Sequence, residues 1–242
     1  MKFMPYLCLG YPDEEKTFDI AKMLIESGAN EIELGIPFSD SIADGSTIQK
    51  ASQVALKNGM TGERAFKLIK QIKDIAIAVP ITVMAYYNTA FSIGLEAFLI
   101  EIKKSGASRV LFPDLPLEES EPVMAMSKRY GVDLVLMIAP NSDEERIKQI
   151  CSKATGLVYL VSTLGVTGER KELPAEFAET MRITKRYSKV PLVVGFGISN
   201  KNQVQQLKIA GADGFIIGSK LITLYKEGGL EKVKGFCETI NV

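Results

Sequence analysis

The stretch EIELGIPFSDSIADGS, residues 31–46, begins as a short strand and ends as a loop. Side chains alternate along a strand, so Glu31, Glu33 and Gly35 share one face and Ile32 and Leu34 the other. The apolar face suits packing against helices. Glu33 does not fit so easily. A strand of a parallel sheet is buried on both faces and normally reads as an apolar run. An ionised carboxylate there costs on the order of several kcal/mol unless something compensates. Eleven residues later comes Asp44, in a loop that also holds Asp40 and the turn formers Pro37, Ser39 and Gly45. One carboxylate rides a rigid strand and a second hangs over its end, an arrangement suited to acid–base chemistry.

Around this stretch the chain alternates strand and helix patterns. Strands are predicted at 3–9, 31–35, 81–88, 108–116, 133–140, 156–162, 191–197 and 212–218. Helices are predicted at 14–27 (capped by Asp13), 47–58, 61–75 (capped by Thr61), 94–104, 118–130, from a cap at Asn141 to 154, 174–187, and from a cap at Asn200 to 210. A short helix is expected near Ser219 and a last one over 229–240. Eight βα units with short connections in 242 residues predict one α/β domain over 1–242, a closed (β/α)₈ TIM barrel. An open doubly wound sheet is the alternative, but such sheets rarely carry eight units so evenly.

Composition removes several classes of function. Lys+Arg and Asp+Glu balance at 29 each, which argues against a nucleic-acid partner. No run of apolar residues is long enough for a membrane span, and the N-terminus has no signal-peptide pattern. Cys8, Cys151 and Cys237 are odd in number and far apart, as expected of reduced thiols in a cytoplasmic protein. There is no histidine, so Ser-His-Asp, Cys-His and His-metal chemistry is excluded, and no metal site is expected. Acid–base work falls to Asp, Glu, Lys, Tyr or Cys.

In a barrel the active site lies at the C-terminal ends of the strands. The uncommon residues gather there: Glu33, Asp44, Tyr86, Asn88 and Asp114, the last read either as functional or as a turn residue between two prolines. VGFGIS and GADGFIIGS follow strands seven and eight, the usual phosphate site of a barrel. Gly195, Gly197 and Gly218 would admit an anion to the backbone, and Ser219 opens a helix whose dipole favours phosphate. GVTGERKE, residues 165–172, reads as a water-excluding lid or as an ordinary exposed loop. Tyr6, Met84, Leu111, Met137, Tyr159 and Phe196 sit near strand ends, as pocket lining or as core.

The segment ELGIPFSDSIADGSTIQ, residues 33–49, closely resembles the signature of the tryptophan synthase α chain family. The resemblance continues through PYLCLGYP, YYN, FPDLPLEES, YLVSTLGVTG, VGFGIS and GADGFIIGS. It implies a (β/α)₈ barrel and a lyase that cleaves indole-3-glycerol phosphate to indole and glyceraldehyde 3-phosphate. It implies a β-chain partner in an α₂β₂ assembly, with pyridoxal phosphate in the β chain and no cofactor in this one. It implies Glu33 and Asp44 as catalytic, Thr167 as the lid residue, and Gly168, Gly197, Gly218 and Ser219 at the phosphate. Tyr6, Met84, Leu111, Tyr159 and Phe196 match positions around the indole. Ser41 and Ser46 stand where the family usually has proline, so a looser loop is expected there. The family's N-terminal helix is expected to be absent or very short. A stand-alone lyase, a weakly active subunit that activates the β chain, and a phosphosugar isomerase on the same barrel are the competing functions.

Overall fold

The computed structural model describes residues 1–162, 174–195 and 197–240. Its eight strands are β1 (Lys2–Cys8), β2 (Ile32–Gly35), β3 (Ile81–Met84), β4 (Arg109–Leu111), β5 (Asp133–Ile138), β6 (Val158–Val161), β7 (Leu192–Gly195) and β8 (Gly214–Ile217). Every neighbouring pair is parallel and β8 returns to β1, closing the barrel predicted from sequence. The helices on its outside are α1 (Glu14–Glu26), α2 (Ser46–Lys57), α3 (Gly62–Ile75), α4 (Tyr87–Ile93), α5 (Leu95–Lys104), α6 (Ser120–Tyr130), α7 (Glu144–Lys153), α8 (Ala175–Tyr187), α9 (Lys201–Ile209) and α10 (Ser219–Ile240). The last is broken at Gly228 and Gly229, between the two helices expected there.

Local chemistry accounts for most boundaries. Asp13, Thr61 and Asn200 each accept a backbone N–H of the first turn, as expected of caps. Ile32, Leu34, Ile81, Val83, Leu192 and Val194 are fully buried, and each such side chain contributes about 1.5–3 kcal/mol of transfer free energy.

Three expectations are corrected. The strand predicted over 81–88 ends at Met84 and α4 begins at Tyr87, because Asp114 Oδ1 accepts the Tyr87 N–H at 2.8 Å and starts a helix there. That contact gives Asp114 a capping role. The strand predicted over 108–116 stops at Leu111, since Pro113 and Pro116 cannot donate to a ladder. The cap of α7 is Asp143, not Asn141: Asp143 accepts the Arg146 N–H at 2.7 Å.

Parallel register fixes which side chains share the barrel interior. Tyr6 aligns with Glu33, Glu33 with Thr82, and Arg109 with Thr82 and Asp133. At the N-terminal mouth Glu31 is 2% exposed and pairs with Lys2 at 2.6 Å and with Arg109. So the first glutamate of the opening stretch is a structural ion pair, at the opposite end of the barrel from the cleft. Removing Arg109 leaves buried Glu31 with the half-exposed Lys2 alone, whereas removing Lys2 leaves it the more buried Arg109. Arg109→Met is therefore expected to cost about 3–5 kcal/mol. Lys2→Met, at a half-exposed position, should cost about 1 kcal/mol or less. Urea unfolding of the two variants checks the ranking; equal midpoints would contradict it.

Candidate active site

At the C-terminal mouth β1, β2, β3, β6 and β8, with the loop 36–45 and the start of α10, enclose a cleft of about 610 Å³. Tyr6, Glu33, Asp44, Met84, Tyr159, Gly197, Gly218 and Ser219 all line it, as expected. Leu111 does not; it is buried in β4, in register with Met84. Thr167, Gly168 and Phe196 lie outside the described residues.

Glu33 is 2% exposed, and its neighbours in register are Tyr6 and Thr82. Among the described residues no cation pairs with it. Burial raises its pKa to about 8, and the charge of Asp44 pushes the same way. Asp44 is also raised by burial, to about 6, while a hydrogen bond from Tyr86 pulls it down. The two carboxyls thus differ at neutral pH: Glu33 holds its proton and Asp44 is ionised. Two carboxyls pushed apart in this way can serve as an acid and a base.

Asp44 is held by a small scaffold. Tyr86 donates its hydroxyl proton to Asp44 Oδ2 at 3.1 Å and accepts the Ala43 N–H at 3.0 Å. Phe38 stacks on the Tyr86 ring, centroids 5.1 Å apart. Gln49 Nε2 donates to the carbonyls of Ser41 and Asp44 at 3.1 and 3.0 Å, tying the loop to α2. With Oδ2 so engaged, Asp44 Oδ1 is buried with no partner among the described residues. A buried acceptor without a donor is costly, and a ligand N–H would satisfy it.

The glycines of the mouth have a second reason beyond the one read from sequence. A Cβ on Gly195 would lie 1.9 Å from the Tyr159 hydroxyl, and one on Gly35 would lie 2.2 Å from that of Tyr6. Gly195 therefore makes room for a tyrosine, and it is not among the cleft residues. Gly197 has φ +71°, a conformation that favours glycine. Gly218 and Ser219 line the cleft where α10 begins; the Gly218 carbonyl accepts the Leu221 N–H at 2.9 Å, and a helix N-terminus placed there favours an anion.

Sequence reasoning singled out Tyr86 by its place after β3 but gave it no partner, because Asp44 is 42 residues away. It missed Thr47, Ser162, Ser199, Lys220 and Thr223, which also line the cleft. Polar residues just beyond strand ends 6, 7 and 8 were the available signal.

The sequence matches the family model described as "Tryptophan synthase alpha chain" over residues 1–239. It is 44% identical to the tryptophan synthase alpha chain of Geobacillus thermodenitrificans over 220 residues, 91% of this chain and 81% of that one. The fold is similar to a chain of the Pyrococcus furiosus tryptophan synthase α₂β₂ complex: TM-score 0.92, 39% identity, 99% of this chain and 97% of that one. It is also similar to a chain of Mycobacterium tuberculosis tryptophan synthase: TM-score 0.88, 29% identity, 99% and 91% covered. Barrel, cleft and sequence agree, and this chain belongs to the tryptophan synthase alpha chain family.

Proposed function

We propose that Glu33 and Asp44 are the acid–base pair of a retro-aldol cleavage of indole-3-glycerol phosphate. The chain is a lyase of tryptophan biosynthesis, the alpha subunit of tryptophan synthase. The observation that carries the residue roles is the split between two carboxyls in one cleft, about 8 for Glu33 and about 6 for Asp44.

The reaction breaks the bond between indole C3 and the glycerol side chain. Asp44 Oδ1 accepts the indole N–H proton, which raises electron density at C3. Protonated Glu33 delivers its proton to C3, giving the 3H-indole. The Glu33 carboxylate then takes the proton of the hydroxyl beside C3. The carbon–carbon bond opens, an aldehyde forms, and the bonding electrons return to the ring as nitrogen recovers its proton from Asp44. Both carboxyls end as they began. Electron demand is met by the ring nitrogen, so the reading assigns no metal or cofactor to this chain.

Tyr6, Met84 and Tyr159 form the apolar part of the cleft that takes the indole, with Leu111 in register with Met84 and Phe196 expected beside them. Gly197, Gly218 and Ser219 take the phosphate, with Gly168 expected to join them. Thr167 is assigned to the lid that closes on Asp44.

The partner is a β chain in an α₂β₂ assembly, which carries pyridoxal phosphate for the following step. Its seat is the loop 36–45 and α4, where Ile42 is 84% and Phe91 71% exposed beside the Tyr86 scaffold. Exposed apolar groups at that density suit a protein interface. Among the described residues no helix is long and apolar enough to cross a membrane, and the reading places the enzyme in the cytoplasm.

Glu33→Gln should fold and bind substrate yet lose roughly 10²–10⁴-fold in kcat, the range for a general acid–base. Asp44→Asn should fall comparably in single-turnover cleavage, since an amide cannot be the anionic acceptor. Near wild-type cleavage by either variant, assayed as indole release with the β chain present, would remove that residue from the mechanism.

The pH profile follows from the same pair. Activity needs Asp44 ionised and Glu33 protonated, so kcat/KM should rise through about pH 6 and fall through about pH 8. Tyr86→Phe deletes the hydrogen bond that lowers Asp44. Its acidic limb should move to higher pH while the alkaline limb moves little. An unshifted acidic limb would show that Asp44 does not govern it.

A further inference from the structure

We infer that Lys220 is the cationic anchor of the phosphate end of the cleft, and that it sets the preference there for a doubly charged phosphate ester. This rests on the substrate reading above. The cleft is electrically bipolar. Glu33 and Asp44 sit at its floor, on β2 and in the loop that follows. At the rim the lining passes through Gly197, Ser199, Gly218, Ser219, Lys220 and Thr223. Among the described lining residues Lys220 is the only one with a positive charge.

Three features make Lys220 more than a surface lysine. It is the second residue of α10, where backbone N–H groups and the helix dipole already favour an anion. It is half-buried, so its charge is less screened than that of an exposed side chain. It forms no ion pair within 4 Å among the described residues, whereas fourteen other lysine and arginine side chains do. The acid that feels its charge, Glu227, is itself paired with Lys232 at 2.6 Å. That the same cleft is built for a ligand is shown independently by Asp44 Oδ1, buried and without a partner among the described residues.

A neutral backbone cradle binds phosphate by directed hydrogen bonds. An ammonium group on a four-carbon stem adds a point charge that follows the ester as it settles. It also opposes entry of an uncharged or carboxylate-bearing analogue, because the charge would then be desolvated against a weaker counter-charge.

The test uses two probes in the wild-type chain with its β chain: glycerol 3-phosphate for the rim and indole for the floor. Lys220→Met should weaken glycerol 3-phosphate binding by about tenfold to a hundredfold and flatten its dependence on ionic strength. Indole affinity should hold. In turnover of indole-3-glycerol phosphate the loss should fall in KM more than in kcat, and Lys220→Arg should restore most of it. Unchanged phosphate affinity and salt dependence in Lys220→Met, in an enzyme whose wild type cleaves the substrate, would overturn the assignment alone. Equal loss of both probes would also overturn it, as a distorted cleft and not a missing charge. A wild type that neither cleaves the substrate nor binds glycerol 3-phosphate would overturn the function on which the inference rests.

Discussion

A carboxyl group is held inside a closed barrel, and among the described residues no cation pairs with it. That constraint governs the site. Glu33 occupies a strand whose other residues are apolar and fully packed, and desolvation keeps its proton on at neutral pH. The cost is set against the burial of the barrel's aliphatic layers, which a chain of this size has in ample supply. A proton donor that is full at neutral pH is what carbon protonation needs.

The contrast with Glu31 makes the point locally. The two glutamates are two residues apart and equally buried, and they face the same interior. Glu31 lies at the N-terminal mouth between Lys2 and Arg109 and is a structural ion pair. Glu33 lies one layer higher, among Tyr6, Thr82 and Asp44. Environment, not residue type, separates an ion-paired carboxylate from a buried, protonated acid. Asp44 is tuned differently again: partly desolvated, but relieved by the Tyr86 hydroxyl, so that it ionises first.

The barrel was legible in the sequence because its determinants are local. Apolar runs recur in every βα unit, and caps at Asp13, Thr61 and Asn200 and glycine stops such as Gly28, Gly59 and Gly131 mark several of the helices. Where reading failed, the deciding contact was distant. The Tyr87 N–H that starts α4 is capped by Asp114, 27 residues on. Gly195 is required by the ring of Tyr159, a strand away. At α7 the ambiguity was local, with Asn141 and Asp143 both able to cap. The Ser142 hydroxyl accepts the Ala139 N–H, closing a turn that leaves Asp143 at the helix start. The carboxylate pair was legible because an acid on a buried strand conflicts with its surroundings, and such conflicts concentrate at functional sites. The scaffold around Asp44 was not, since a tyrosine at a strand end reads equally well as core.

The proton on Glu33 can be observed directly. Difference infrared spectroscopy of isotope-labelled protein, with Glu33→Gln as the reference, resolves the carbonyl band of a protonated carboxylic acid. That band should persist at pH 7 and disappear with a midpoint near 8. A Glu33 already ionised at pH 6 would contradict the account, because the buried acid that is to protonate the indole ring would have no proton to give.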